Sequence, residues 1–178
     1  KQEYEYRPMV TSSFALEKQL FHGLPASQTK EEKIKNNQLT QANVSHFINL
    51  LLYIITCILL YKLLLMIFKE HNQLLVLLTT LLFVVHPLHT EPVVNIKSRD
   101  ELFVLLGLLI ALIYYIKYAT THQLKYVGFA MIAVLFAALS KKNALAALGL
   151  VPVVLYFVKA DYKKIGIATF SVLLMVIA

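Results

Sequence analysis

Seven ionisable side chains, His86, His89, Glu91, Lys97, Arg99, Asp100 and Glu101, fall between two runs of Leu, Ile and Val. A charge at the centre of a bilayer costs about 2.5–3.5 kcal/mol on insertion scales, so such a cluster at the edge of apolar segments needs a reason. His86, His89 and Glu91 offer nitrogen and carboxylate donors, yet H-x-x-H-x-E is not an established zinc pattern. A divalent metal is therefore not favoured, and a hydrogen-bonding role for both histidines is preferred. Ser98-Arg99-Asp100-Glu101 fits an S-x-x-E capping box at the start of the next helix, whose positive end also favours acidic groups. Asp100 and Glu101 thus carry two readings, as caps or as members of a charged site.

Lys141 and Lys142 are the second anomaly, because they interrupt an apolar stretch over 127–158 that is too long for one ordinary span. Split at the lysines, the half 127–139 is about 20 Å long at 1.5 Å per residue, against a hydrocarbon core of about 30 Å. Either that span takes in 123–126 or the lysines lie below the interface. Long lysine stems can snorkel to headgroup level; the other reading is an anion site on the same side as 86–101. An outward pocket pairing carboxylates with lysines suits a phosphate-bearing lipid and a nucleophile.

The elements that must position these groups are helices in a membrane. Hydrophobic residues make up 58% of the 178-residue chain and charged residues 15%, with the apolar ones in long runs, which defines a polytopic membrane chain. The expectation is an all-α transmembrane bundle over 46–178, with about six spans at 46–68, 73–88, 102–118, 124–139, 144–158 and 165–178. His86 precedes Pro87 and is biased to extended backbone, ending the second span there. Residues 1–45 read as an extracytoplasmic loop with a short amphipathic helix, where Met9, Phe14, Leu16, Leu20 and Phe21 could lie on the membrane surface. Gly23 and Pro25 stop that helix, Thr29 and Glu32 fit a capping box for a short polar helix over 30–37, and 26–43 is expected to be a mobile loop.

Alternation of the spans groups 1–45, 86–101 and 140–143 on one side. The other side holds Lys69, Lys117, Lys125, Lys159, Lys163 and Lys164, which the positive-inside rule makes cytoplasmic, so the charged cluster faces outward. The net charge of +7 is spread over several loops, which favours lipid phosphate over nucleic acid as partner. The only cysteine, Cys57, excludes an intrachain disulfide. Phosphate-loop, dinucleotide and nucleophile-elbow motifs are absent, and Gly and Pro are not paired between two halves as a transporter would require. The chain begins without Met and stops at Ala178 within an apolar run, so a piece of a longer protein is expected. Its Lys, Asn and Ile usage and compact loops favour a bacterial inner membrane, with the endoplasmic reticulum membrane as the alternative.

Three patches resemble a known family. His86-Pro87-Leu88-His89-Thr90-Glu91 followed by Arg99-Asp100-Glu101-Leu102 resembles H-P-x-H-T-E-A-V then G-R-A/D-D/E-L. Leu139-Ser140-Lys141 resembles L-S-K-E. Tyr6-Arg7-Pro8 with His46-Phe47-Ile48-Asn49-Leu50-Leu51 resembles Y-R-P-L and F-H-L-x-N-L-L. These are patterns of the GT-C glycosyltransferases that use polyprenyl- or dolichyl-phosphate sugars, in particular the transmembrane and tetratricopeptide-repeat O-mannosyltransferases and their bacterial relatives. The order and rough spacing agree across nearly the whole chain. Pro92 stands where the family usually has Ala, Ser98 replaces Gly, Lys142 replaces the Glu after the lysine, and 26–43 forms a longer polar insertion.

The resemblance implies a GT-C-like fold and inverting transfer of a sugar, with mannose inherited from the family, from a polyprenyl-phosphate carrier to a protein or glycan hydroxyl. It implies Lys141 as phosphate contact, with Arg7, Arg99 and Lys142 as helpers, Glu91 or Asp100 as acceptor-orienting groups, and His86, His89 and Glu101 in the pocket. The family's acidic catalytic residue sits in a first outward loop that would lie upstream of Lys1. Glu3 and Glu5 do not match that motif, so no base is assigned. No resident cofactor is implied beyond the lipid-phosphate sugar as substrate. The competing class is a non-catalytic polytopic subunit of a larger membrane assembly, whose charged loop docks a partner while the lysines snorkel.

Overall fold

The computed structural model describes residues 7–21, 30–70 and 72–177. Every regular element among them is helical: α1 Pro8–Phe21, α2 Lys30–Ile67, α3 Gln73–Val85, α4 Thr90–Val94, α5 Arg99–Thr121, α6 Lys125–Ala138, α7 Ala147–Phe157 and α8 Tyr162–Ile177. Short 3₁₀ turns, Pro87–His89, Ile96–Ser98 and Lys142–Ala146, link α3 to α4, α4 to α5 and α6 to α7.

Two segments are long and apolar enough to cross a membrane, Ala42–Ile67 within α2 and Arg99–Thr121, which is α5. A third would count if α3 and the Pro87–Val94 segment form one span broken by a 56° bend. The six-span expectation meets shorter helices elsewhere. At 14 residues, α6 reaches only about 21 Å at 1.5 Å per residue. It begins at Lys125, so it takes in only part of the 123–126 extension that a full span would need.

The boundary expected at 45/46 lies inside a helix, because α2 runs unbroken from Lys30 for 38 residues. The polar loop expected at 26–43 is therefore helix from Lys30 onward; Thr29 and the residues 22–28 lie outside the described residues. What carries the helix into the bundle is one face: Ser45, Asn49, Tyr53, Thr56 and Leu63 are all buried, at intervals that keep them on one side of a helix. The other faces of α2 and most of α3 leave large apolar side chains exposed, among them Leu50, Ile54, Ile58, Leu74, Leu78 and Leu82. Contiguous apolar surface of this kind marks a lipid or partner contact.

At the centre stands α5, which packs against α2, α6 and α7 and is buried along most of its length. Its antiparallel neighbour α6 approaches closely because both helices carry small residues there. A Cβ on Gly107 would meet the Ala133 carbonyl oxygen at 2.9 Å and the Ala137 Cβ at 3.0 Å. Small residues at such a crossing let two backbones pack tightly where lipid offers little hydrophobic drive. His122, in the left-handed region at φ 62°, ends α5 and starts the turn. The chain then runs back along α6, which returns residues 139–143 to the level of 99–101.

Candidate functional site

The hairpin of α5 and α6 decides the site, because it brings two distant charged patches to one end. Lys141 donates to Glu101 and lies 3.3 Å from the Asp100 carboxylate. Arg7, just before α1, donates to the same Asp100 oxygen. Asn143 adds a hydrogen bond to Glu101 at 3.3 Å. Asp100 is 2% exposed, Lys141 22%, Arg7 33% and Glu101 39%, so the cluster is rooted in the protein and opens outward. An ammonium has three N–H groups; Asp100 and Glu101 account for two. The hydrogen bond that Lys141 donates to Glu101, opposed by desolvation and aided by Asp100, holds the Lys141 pKa above the ordinary lysine value. This lysine stays charged at any neutral pH.

The expected capping box at Ser98 does not form. Ser98 makes no side-chain cap, and Glu101 turns instead to Lys141 and Asn143. The free helix N–H that matters here, that of Glu101, is taken by Asp100 Oδ1 at 2.9 Å. A charge-assisted pair across the hairpin outcompetes a local neutral cap.

Arg99 belongs to a separate, interior network. It is fully buried, and its guanidinium donates to Glu17 at 2.9 Å, to Asn49 Oδ1 at 2.8 Å, to Ser13 at 3.3 Å and to the Ser45 carbonyl at 3.2 Å. The Phe14 ring covers it at 4.2 Å, and Ser45 also donates to Glu17. With its donors committed to protein, Arg99 positions α1 and α2 on α5 and is not placed to help with a phosphate. The partner face of α1, Val10, Ser13, Phe14 and Glu17, follows helical spacing, so Phe14 packs on Arg99 where a membrane-surface contact was expected. Leu16 is exposed, and the side chains of Leu20 and Phe21 lie outside the described residues.

The histidines serve the break in the second apolar segment. Pro87 has no N–H and ends α3, freeing carbonyls on its last turn. His89 Nδ1 meets the Phe83 carbonyl at 2.6 Å and Tyr53 donates to the Val84 carbonyl at 3.0 Å. His86 is exposed, and its Nδ1 accepts from the Leu88 amide at 3.3 Å. The His89 ring packs on Phe83 with centroids 4.0 Å apart. Glu91 is exposed on α4. Among the described residues, His86, His89 and Glu91 make no hydrogen bond or ion pair with the Arg7, Asp100 and Lys141 group. No three His, Cys, Asp or Glu side chains among the described residues converge as a metal site would. Lys142 is exposed at the start of its 3₁₀ turn, beside Lys141.

Glu17, Asn49 and Asn143 are the residues that sequence reasoning did not single out for the site. The available signal was weak: polar Ser45, Asn49 and Thr56 recur on one face of an otherwise apolar helix. Polar groups at that spacing in a span point inward, to a partner. Compared with protein-family models, curated proteins and solved structures, the chain has no match.

Proposed function

We propose that this chain is the lipid-phosphate-binding part of a membrane glycosyltransferase of GT-C type, with its six apolar segments, four of them short or broken, embedded as one bundle. The observation that carries the reading is the meeting of Lys141, Arg7, Asp100 and Glu101 at one end of the α5–α6 hairpin. Together with the H-P-x-H-T-E, R-D-E-L and L-S-K patches, it supports an outward-opening anion site beside lipid-facing helices.

In this reading a polyprenyl-phosphate sugar, most simply a mannosyl donor, enters from the bilayer. An acceptor hydroxyl of a protein or glycan attacks the anomeric carbon, the bond from that carbon to the phosphate oxygen breaks, and the lipid phosphate leaves. The acceptor proton passes to a base that this chain does not assign. Negative charge grows on the departing phosphate, and a fixed cation aimed at it stabilises the transition state. Lys141 is that cation, its third N–H turned to the ligand while Asp100 and Glu101 hold it in place and charged. Arg7 is the second cation, sharing Asp100. Arg99 acts at one remove, by fixing the helix start that carries Asp100 and Glu101. The test is sugar transfer from a synthetic polyprenyl-phosphate mannose by the full-length protein, with Lys141→Ala and Lys141→Arg beside it. Full transfer by a folded Lys141→Ala protein ends the reading.

A non-catalytic membrane subunit is the second reading, and one observation favours it: the cations of the cluster are balanced by its own carboxylates, as in a structural staple. Under that reading Lys141→Ala lowers stability and leaves the affinity for a lipid phosphate unchanged.

A further inference from the structure

The other end of the bundle gathers lysine-bearing turns. The ends of α2, α5 and α7 enclose a cavity of about 320 Å³ whose lining includes Met66, Ile67, Lys69, Glu70, Phe157 and Lys159. The start of α8 joins them: Lys164 donates to the Ala119 carbonyl at 2.5 Å and to His122 Nε2 at 3.2 Å. Lys117 late in α5, Lys125 at the start of α6 and Lys163 at the start of α8 add further positive charge toward this end, where Glu70 and Asp161 are the nearby acidic residues in sequence. Lys69 and Lys159 are exposed, and neither forms an ion pair with a described carboxylate. Beside them a second hollow is lined by Tyr156, Phe157 and Tyr162, all exposed aromatics, the residue type that settles at headgroup level.

Lys159 stands out within this group. Its φ of 57° is left-handed, and it closes α7 with its amide on the Tyr156 carbonyl at 2.9 Å and the Ala160 amide on Leu155 at 3.0 Å. Glycine is the residue that fills such a helix stop without strain. A lysine there keeps a cation at the mouth of the cavity at a conformational cost.

We propose that this cavity holds the headgroup of an anionic phospholipid, with its phosphate on Lys69 and Lys159 and its acyl chains running down past Phe157, Met66 and Ile67. Excess positive charge selects an anionic headgroup, and the apolar side chains of Met66, Ile67, Phe157 and Val158 beside the lysines favour a lipid over free phosphate. The inference requires a bilayer around the chain and is independent of the transfer chemistry.

Thermal unfolding of the purified protein in neutral detergent tests it, because a ligand that binds only the folded state raises the midpoint. Phosphatidylglycerol is expected to raise the midpoint, whereas phosphatidylcholine or inorganic phosphate at equal concentration is not. A Lys69→Gln, Lys159→Asn double variant is expected to lose most of the shift and Lys125→Gln to keep it; Asn tolerates the left-handed conformation. Equal shifts from the two lipids, a shift reproduced by inorganic phosphate, or an undiminished shift in the double variant would overturn the proposal. Should the double variant not fold, a photoactivatable phosphatidylglycerol on the unaltered protein decides: adducts within 66–70 or 156–162 support the site, and adducts only elsewhere refute it.

Discussion

Lys141 Nζ stands 3.3 Å from Asp100 Oδ2 while Arg7 donates to that same oxygen. One buried carboxylate therefore ties the segment before α1, the start of α5 and the break after α6 into a single charged end. If that end receives a phosphate, the cations matter through what they can still donate outward.

Loss of Lys141 is the sharpest consequence. Removing one preorganised donor of this kind typically lowers a rate by about 10²–10³, or roughly 3–4 kcal/mol. Lys141→Ala is expected to lower sugar transfer by that order, and Lys141→Arg to recover part of it. Unfolding curves run alongside the transfer assay separate a lost cation from a lost fold.

Breaking the interior pair is expected to act on stability first. Glu17→Gln leaves the buried Arg99 guanidinium facing a neutral amide, and removing one partner of a buried ion pair costs about 3–5 kcal/mol. Denaturant unfolding of the purified protein measures this. A loss no larger than about 1 kcal/mol, the size of a surface pair, would show that the Arg99 network contributes little to holding α1.

Two glycines should respond to alanine with opposite signs. At Gly107 the new methyl would sit 2.9 Å from the Ala133 carbonyl, and overpacking of this kind costs about 1–3 kcal/mol. At Gly128, the fourth residue of α6, nothing lies within 4 Å, so replacing this helical glycine by alanine gains up to about 0.5–1 kcal/mol. Midpoints of thermal unfolding for the two variants check the α5–α6 contact on which the site depends.

The pH dependence follows from the raised pKa of Lys141, caused chiefly by the hydrogen bond it donates to Glu101. A group whose folded pKa lies above its unfolded value contributes stability that is complete below the unfolded pKa. That contribution disappears as pH rises through the folded pKa. The unaltered protein should thus hold the Lys141 contribution through neutral pH and lose it only above the ordinary lysine range. Lys141→Met should flatten that alkaline loss, as read from denaturation midpoints against pH.

What the sequence discloses here depends on how far each cause reaches along the chain. Charges inside apolar runs are anomalous wherever they fold, so Asp100 and Glu101 in one break and Lys141 in another stand out in the sequence alone. Arg99 sits within the same motif, yet its buried role depends on Glu17, 82 residues earlier, which no local pattern announces. The capping box at Ser98 misleads for a related reason, since Glu101 has a stronger partner on the other arm of a hairpin. The loop expected over 26–43, with only a short helix at 30–37, is from Lys30 onward one helix that continues into the apolar segment, where Ser45 and Asn49 meet Arg99, a tertiary contact. His86 and His89 were placed in a pocket by resemblance, whereas Pro87 explains them locally as partners for the backbone groups around the break it makes.

Photo-crosslinking of the full-length protein with a diazirine-bearing polyprenyl phosphate, followed by peptide mapping, tests the central claim most directly. Adducts within 7–21, 99–103 or 139–143 that disappear in a folded Lys141→Ala protein are the result expected. Adducts confined to 66–70 and 156–162, or labelling indifferent to Lys141, would contradict a lipid-phosphate site at the end of the bundle where Lys141 meets Asp100.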